Sequence, residues 1–203
     1  KYLNMALVHK TSSLFQLASY EETVRSARTA LNTRGLRKEY IPKLTEMLAS
    51  SLYKLADESI NKKDSKKALI YFSQIIKEAP LSKVAPVALY DSSAVYVSVK
   101  QWGLAIGSFE SFLKTYPSHP LAKDIPEKLA YAYEEDKQWH NAATHWLRLS
   151  EDSSITIESK ALRTLRSARL FEKSGDTHSA ILRYRDYAHA YPDPVAEFVT
   201  ARG

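Results

Sequence analysis

Apolar residues recur at steps of three and four along the stretch from Gln101 to Pro120. This spacing places them on one face of an α-helix. Pro117 ends the predicted helix, because its ring clashes with a preceding carbonyl and it offers no amide proton. The apolar stripe consists of Trp102, Ala105, Ile106, Phe109, Phe112, Leu113 and Tyr116. The stretch therefore predicts an amphipathic helix that packs one face against its neighbours.

The same arrangement returns along the chain at a nearly constant interval. Its first element is an alanine, which recurs after 37, 37 and 38 residues, at Ala68, Ala105, Ala142 and Ala180. An aromatic residue follows each alanine by four positions, at Phe72, Phe109, Trp146 and Tyr184. A proline follows by twelve positions in three of the four copies, at Pro80, Pro117 and Pro192. A period in this range, with a helix in every copy, indicates a stacked array of helices.

The pattern predicts about ten helices in five pairs and no strand. The pairs cover about residues 4–35, 41–80, 86–117, 123–153 and 159–192. In the first helix, Leu7, Leu14 and Leu17 form the stripe that we expect to face the core. The chain starts at Lys1 within a helical pattern, and a new helical pattern begins close to Gly203. We therefore expect residues 1–203 to form a single array that belongs to a longer chain.

The alternation of helix, short turn and helix ending in Tyr-Pro resembles the tetratricopeptide repeat (TPR) family. In that family the second helix carries a small residue, then an aromatic residue, and a proline follows it. Ala68, Phe72 and Pro80 match this pattern, and so do the equivalent sets that begin at positions 105 and 180. In the remaining copy Ser154 stands where proline belongs. The resemblance covers about residues 4–192 and implies an all-α, right-handed α-α superhelix, a TPR-like solenoid of about five helix pairs.

Two joints between the repeats carry a narrower resemblance. The segments FLKTYPSHPLAKD (112–124) and YAHAYPDPVA (187–196) look like inter-repeat joints of bacterial envelope TPR proteins. Examples are the outer-membrane β-barrel assembly lipoprotein and the periplasmic Tol-Pal-associated protein. This similarity implies a scaffold in the periplasm or cell envelope of a Gram-negative bacterium. A cytoplasmic scaffold is the alternative.

The composition narrows the functional classes. The formal net charge is +6 and the charges are scattered, so the charge permits a nucleic-acid partner but does not demand one, and we expect protein partners instead. The absence of cysteine excludes disulfides, thiol catalysis and thiolate metal sites within residues 1–203. No run approaches the roughly 18 apolar residues of a membrane span.

The titratable residues do not form a recognisable catalytic or metal-binding motif. His140 and His145 are five residues apart, which does not match the i, i+4 spacing of a helical zinc pair. We interpret the acidic cluster of Glu134, Glu135 and Asp136 as a solvated helix end. The tryptophans Trp102, Trp139 and Trp146 are expected on the inward stripe. We therefore expect no enzymatic activity, cofactor, metal or small-molecule substrate.

The first helix of each pair would line the concave surface of such an array. Tyrosine and arginine in an exposed groove suit protein binding, because they bury a large area and keep a polar tip. The candidate groove residues are Tyr53, Lys54, Asp57, Tyr90, Asp91, Tyr131, Glu135, Arg166 and Arg169. The sequence thus favours a non-enzymatic scaffold that binds a segment of another protein in this groove, as part of a bacterial envelope complex.

Two other functions stay open at this point. The chain could be a docking or regulatory arm of a larger enzyme or secretion assembly. It could also be an RNA-binding helical repeat, because Arg163, Arg166 and Arg169 form a basic strip at steps of three. The simpler interpretation of this strip is a solvated helix face with pairs such as Arg169 and Glu172.

Overall fold

The computed structural model describes residues 2–191. Within this range the protein is all-α, with ten α-helices and no strand, which confirms the predicted fold class. The helices are α1 (Tyr2–Gln16), α2 (Tyr20–Leu31), α3 (Ile41–Asn61), α4 (Ser65–Glu78), α5 (Ala85–Ser98), α6 (Trp102–Thr115), α7 (Ile125–Glu135), α8 (Trp139–Ser150), α9 (Ile157–Ser174) and α10 (Thr177–Ala190). Short 3₁₀ turns at Lys38–Tyr40 and Pro120–Lys123 precede α3 and α7.

The helices belong to two compact units, Lys1–Lys100 with α1 to α5 and Gln101–Gly203 with α6 to α10. In the first unit, the main core joins α2 to α5 around Leu48, Leu52 and Phe72. A smaller core beneath α1 consists of Val8, Ala30, Leu44 and Met47. The single continuous array of residues 1–203 stays a prediction.

The repeated alanines and most of the repeated aromatics lie in the cores of their units. Ala68, Ala105 and Ala142 have no exposed surface, and Ala180 is 3% exposed. The aromatics Phe72, Phe109 and Trp146 are at most 4% exposed. Tyr184 differs, because it is half-buried and its hydroxyl donates a hydrogen bond to Glu172 Oε2 at 2.7 Å. An alanine one turn before a bulky ring leaves the neighbouring helix room to approach, which explains the repeated pairing.

The turns inside the helix pairs share one backbone conformation. In each turn one residue has a positive φ, and these residues are Ala18, Lys63, Lys100, Lys137 and Gly175. In four of these turns, those with Ala18, Lys63, Lys137 and Gly175, the next amide donates to a carbonyl five residues earlier in the first helix, as from Gln138 to Tyr133 at 2.9 Å. Only Gly175 is of a residue type that favours positive φ, so side-chain identity does not by itself determine the turn.

The prediction for the first helix is wrong about its inward face. The buried residues of α1 are Asn4, Val8 and Thr11, whereas Leu17 is 74% exposed. Polar residues can occupy this core face because they find local partners. Thr11 Oγ1 donates to the Leu7 carbonyl at 2.8 Å and lies 2.8 Å from Ser26 Oγ. Asn4 Nδ2 donates to the Gly35 carbonyl at 2.8 Å.

The tryptophan prediction is correct for one residue of three. Trp146 is 4% exposed, but Trp102 and Trp139 are only half-buried at the first positions of α6 and α8. Both rings contact a side chain of a neighbouring helix. Trp102 meets Tyr131 edge-on at 5.9 Å, and the Lys173 ammonium lies 5.1 Å from the Trp139 ring.

Candidate protein-binding faces

In the first unit, the candidate residues on α3 and α5 meet through one hydrogen bond. The Tyr53 hydroxyl donates to Asp91 Oδ2 at 2.6 Å. The Tyr53 ring also packs on Phe72 of the core, with the ring centroids 5.8 Å apart. Tyr53 is therefore held at both ends, by the core at its ring and by Asp91 at its hydroxyl.

The environment of Asp91 disfavours its charge. Burial raises the pKa of the Asp91 carboxyl and the nearby Asp57 carboxylate adds to this, while the Tyr53 hydrogen bond opposes both. Burial and the hydrogen bond to Asp91 also raise the pKa of Tyr53, so its hydroxyl keeps its proton at neutral pH. A half-buried carboxylate with a second carboxylate beside it favours a nearby cation, since a cation would stabilise both charges.

The remaining candidates of the first unit lie on the same two helices. Lys54 and Asp57 are exposed on α3, and Tyr90 is half-buried on α5. We name these five residues the unit 1 face: Tyr53, Lys54, Asp57, Tyr90 and Asp91. It combines two aromatic rings with two carboxylates and one ammonium group.

In the second unit, the candidate Arg166 belongs to a polar cluster of three helices. Its Nε donates to Glu134 Oε2 at 2.8 Å, and its guanidinium carbon lies 4.2 Å from the centre of the Trp146 ring. The Trp146 indole donates to the same Glu134 oxygen at 3.1 Å. Glu134 thus links α7, α8 and α9. The interpretation of Glu134 as part of a solvated helix end is wrong, because this side chain is half-buried and accepts two hydrogen bonds.

The other candidates of the second unit are more open. Tyr131 is 43% exposed, and Glu135 and Arg169 are exposed. We name Tyr131, Glu135, Arg166 and Arg169 the unit 2 face. The unit 2 face carries two arginines and one glutamate, whereas the unit 1 face carries two aspartates and one lysine.

The predicted basic strip is largely engaged within the protein. Arg163 donates to the Leu149 carbonyl at 3.0 Å and to Glu127 at 3.2 Å, and Arg166 holds Glu134. The suggested pair of Arg169 and Glu172 is not seen; Glu172 instead accepts the Tyr184 hydroxyl. Arg163 and Arg166 are therefore less available to a polyanion than the exposed Arg169.

Sequence reasoning missed a second polar cluster in this unit. The Tyr133 hydroxyl donates to Glu110, and His145 lies against the Tyr133 ring with centroids 5.1 Å apart. Burial and the bond to Glu110 raise the pKa of Tyr133 to about 12. Burial, assisted by Arg148, lowers the pKa of His145 against the pull of Glu110. The three residues come from three helices, so no spacing in the sequence pointed to them.

Among the described residues, no group of three or more His, Asp or Glu side chains is arranged to hold a metal ion. In the same range, no helix combines the length and apolar character needed to cross a membrane.

Comparisons with known proteins bear on the fold. No protein-family model and no curated protein sequence matches this chain. Among solved structures, the chain is similar to a Podosopora anserina kinesin light chain with nearly identical TPR-like repeats. The TM-score is 0.50 and the identity 14%, over 92% of this chain and 93% of that chain. This likeness shows that the protein has the fold of the TPR-like helical repeat proteins.

Two other structures have lower TM-scores. One is PilW, a type IV pilus biogenesis factor, with a TM-score of 0.48 and 12% identity over 98% of this chain and 99% of that chain. The other is PilF of Pseudomonas aeruginosa, with a TM-score of 0.44 and 15% identity over 98% of this chain and 97% of that chain. The narrower resemblance to outer-membrane assembly and Tol-Pal-associated proteins stays a prediction.

Proposed function

We propose that this protein is a non-enzymatic scaffold that binds a segment of a partner protein along the concave, first-helix side of its array. The observation that carries the proposal is the hydrogen bond between Tyr53 and Asp91 on the unit 1 face. It holds an aromatic ring and a carboxylate in one arrangement before any partner arrives. A side chain that is already ordered loses less conformational entropy on binding.

The chemistry of the two faces suggests what the partner segment carries. The unit 1 face places Tyr53 and Tyr90 beside Asp57 and Asp91, which suits a lysine or arginine side chain that contacts aromatic rings and pairs with carboxylates. The unit 2 face offers Arg166 and Arg169, which suit a carboxylate. We propose that the first face binds basic residues of a partner protein and that the second face binds acidic residues of a partner protein.

We further propose that this scaffold works in a bacterial envelope complex. The support is the resemblance of the joints at 112–124 and 187–196 to those of envelope TPR proteins. In the first joint, Tyr116 and His119 both meet the buried Phe112 edge-on, at centroid distances of 5.5 and 5.6 Å. The joint is therefore packed into its unit. Part of the second joint lies outside the described residues.

Site-specific photo-crosslinking tests the groove. A photoreactive amino acid replaces Tyr90 in the full-length protein in its own cells, and mass spectrometry identifies the adducts. We expect one dominant protein adduct, and we expect Asp57→Lys to weaken it, because that change places a cation against a basic partner residue. The control position is Ile70, which is 49% exposed on α4, a second helix.

Equal adducts from Ile70 and Tyr90 would contradict a groove on the first helices. Adducts only from the Arg169 side, or to nucleic acid, would move the site to the second unit. The RNA-binding alternative has weaker support, since Arg163 and Arg166 already bind carboxylates of this chain. A docking arm of a larger enzyme or secretion assembly would use the same faces, and a catalytic domain in the same reading frame would reveal it.

A further inference from the structure

One turn of the first unit presents a large apolar side chain to solvent. Leu81, in the loop between α4 and α5, is 97% exposed. Its neighbours Ala79, Ser82 and Ala85 are at most 5% exposed. The Ser82 amide donates to the Ala79 carbonyl at 3.0 Å, and the Ala85 amide donates to Ser82 Oγ at 3.1 Å. The exposure of Leu81 is therefore a property of a packed turn that is held by its own hydrogen bonds.

Polar contacts connect this turn to the other helix ends on the same side of the first unit. The Lys83 amide donates to Glu46 Oε1 at 2.9 Å, which joins the turn to the N-terminal part of α3. Arg28 near the end of α2 binds Glu78, the last residue of α4, through two hydrogen bonds at 2.8 and 2.7 Å. The joint between α2 and α3 and the joint between α4 and α5 therefore lie side by side. We name them the unit 1 joint edge, which consists of residues 30–46 and 77–88.

The unit 1 joint edge is rich in basic side chains. Its two segments contain six basic and three acidic residues. Two of the acidic side chains are engaged in ion pairs, Glu39 with Arg37 at 3.2 Å and Glu78 with Arg28 at 2.7 Å. The third, Glu46, accepts the backbone hydrogen bond described above. The exposed basic residues of this edge are Arg34, Lys38, Lys43, Lys77 and Lys83.

The equivalent joints of the second unit lack this excess of basic charge. Residues 114–128 and 149–160 contain four basic and five acidic residues. They also expose a large apolar side chain, because Ile157 at the start of α9 is 67% exposed. The unit 1 joint edge thus combines basic charge with an exposed apolar side chain, whereas the second unit has the apolar side chain without the charge.

We propose that the unit 1 joint edge docks on the surface of an anionic lipid membrane, with Leu81 inserted between the headgroups. The basic side chains attract the anionic headgroups, and burial of the leucine side chain at the acyl boundary adds to the attraction. Four of the five exposed cations are lysines, whose ammonium group pairs without a fixed geometry, as a fluid layer of headgroups requires.

The form of the apolar contact favours a membrane over a folded protein. A single projecting leucine can enter a fluid interface without a complementary shape, whereas tight binding to a folded protein would require a matching pocket on that protein. A nucleic acid would neutralise the basic residues but would leave the role of Leu81 unexplained. None of the five residues of the unit 1 face belongs to this edge, so the membrane contact is an interaction beyond the proposed groove.

An environment-sensitive fluorescent amino acid in place of Leu81 tests the proposal on the full-length protein. Vesicles that mix phosphatidylglycerol with phosphatidylcholine should shift its emission to the blue, and lipids with a spin label in the acyl chain should quench it. Vesicles of phosphatidylcholine alone should do neither. Raising the salt concentration from about 0.05 to about 0.5 M should reverse the shift, because salt screens the attraction. The same amino acid in place of Ile157 is the matched control and should show no shift.

Charge variants separate this edge from the overall charge of the protein. Lys66 and Lys77 lie in the first and last turns of α4, about 16 Å apart along the helix. This distance exceeds the screening length of about 10 Å at about 0.1 M salt. Lys77→Glu should weaken binding to the mixed vesicles at least about fivefold, and Lys66→Glu less than about twofold. Leu81→Ser should weaken this binding about tenfold, whereas Ile157→Ser should leave it unchanged.

Three results would overturn the proposal. The first is an equal shift at positions 81 and 157, or an equal shift with the mixed vesicles and with phosphatidylcholine alone. The second is a blue emission at position 81 before any vesicle is added, which would show that the protein's own chain already covers this residue. The third is binding of polyglutamate or RNA that Lys77→Glu abolishes, without any shift by vesicles, which would assign the edge to a soluble polyanion.

Discussion

The two units each contain a chain of side-chain contacts that links three helices, but the residues that form it differ in chemistry. In the first unit, the core ring Phe72 on α4 contacts Tyr53 on α3, and Tyr53 bonds Asp91 on α5. In the second unit, the core ring Trp146 on α8 bonds Glu134 on α7, and Glu134 bonds Arg166 on α9. Each chain of contacts runs from the second helix of a pair, through its first helix, to the first helix of the next pair.

The difference lies in which charge the last helix carries. Asp91 and Arg166 hold the same register position in their repeats, yet one is a carboxylate and the other a guanidinium. A phenylalanine at the core position leaves the polar contact to a neighbouring tyrosine, whereas a tryptophan brings its own donor and therefore requires an acceptor nearby. The core residue thus helps to determine which charge lies on the first helix of the next pair.

The largest expected effect is the loss of the core ring itself. Phe72→Ala should lower the free energy of unfolding by about 3–5 kcal/mol, because Phe72 is 1% exposed and its removal leaves a cavity. Chemical denaturation monitored by circular dichroism measures this change. A loss below 1 kcal/mol would show that Phe72 does not hold the first unit together, and Ile70→Ala on the same helix serves as an exposed control.

A smaller effect is expected when position 146 keeps an aromatic ring but loses the indole N–H donor. Trp146→Phe should cost about 1.5–3 kcal/mol, from the lost hydrogen bond to a charged acceptor and the smaller ring. Trp146→Phe combined with Glu134→Gln separates these causes. If the hydrogen bond matters, the two changes together cost less than the sum of their separate costs, and full additivity would speak against it.

The ion pair between Arg166 on α9 and Glu134 on α7 should contribute about 1 kcal/mol or less to the free energy of unfolding. Arg166→Ala removes the bond to Glu134 and the stacking on Trp146, but the Arg166 side chain is 41% exposed and solvent screens the pair. The loss of stability in Arg166→Ala should become smaller when the salt concentration rises from about 0.05 to about 0.5 M, because salt screens exposed charges. The matched change Tyr53→Phe, which removes the bond to Asp91, should depend less on salt because its donor is neutral. Equal salt dependence of the two variants would contradict this comparison.

Much of the fold could be predicted from the sequence, because the buried residues recur at steps of three and four within each helix and again in each repeat. Ala105, Phe109 and Pro117 determine a helix, its packing and its end by local rules. The polar links could not be predicted in this way. Glu134 looked like a surface residue, and only the approach of α9 brings Arg166 onto it. The leucine stripe of Leu7, Leu14 and Leu17 was visible in the sequence, but Asn4, Val8 and Thr11 form the buried face of α1.

Two equivalent turns of the second unit differ in the residue that has a positive φ. Lys137 and Gly175 occupy equivalent turns, with φ of 60° and 82°. A side chain at positive φ crowds the backbone, so Lys137→Gly should raise the free energy of unfolding by about 0.5–1 kcal/mol. Lys137→Ala is the control, because it removes the charge and keeps the crowded backbone. Gly175→Ala should lower the free energy of unfolding by a similar amount, because the added Cβ would stand at positive φ, although no atom lies within 4 Å of it. If Lys137→Ala stabilises as much as Lys137→Gly, charge rather than backbone strain is the cause.

The smallest effect concerns the carboxylate of the first unit. The pKa of Asp91 is raised in the folded protein, mainly by burial, so between its unfolded and folded pKa values the folded state binds more protons than the unfolded state. Stability from this group is therefore present below the unfolded pKa and is lost as pH rises through the folded pKa. In thermal melting between about pH 3.5 and 7, the melting temperature of Asp91→Asn should rise relative to that of the wild type as the pH rises. A gain that stays constant across this range would mean that Asp91 titrates as an ordinary surface carboxyl, and that the unit 1 face holds no desolvated charge for a basic partner to compensate.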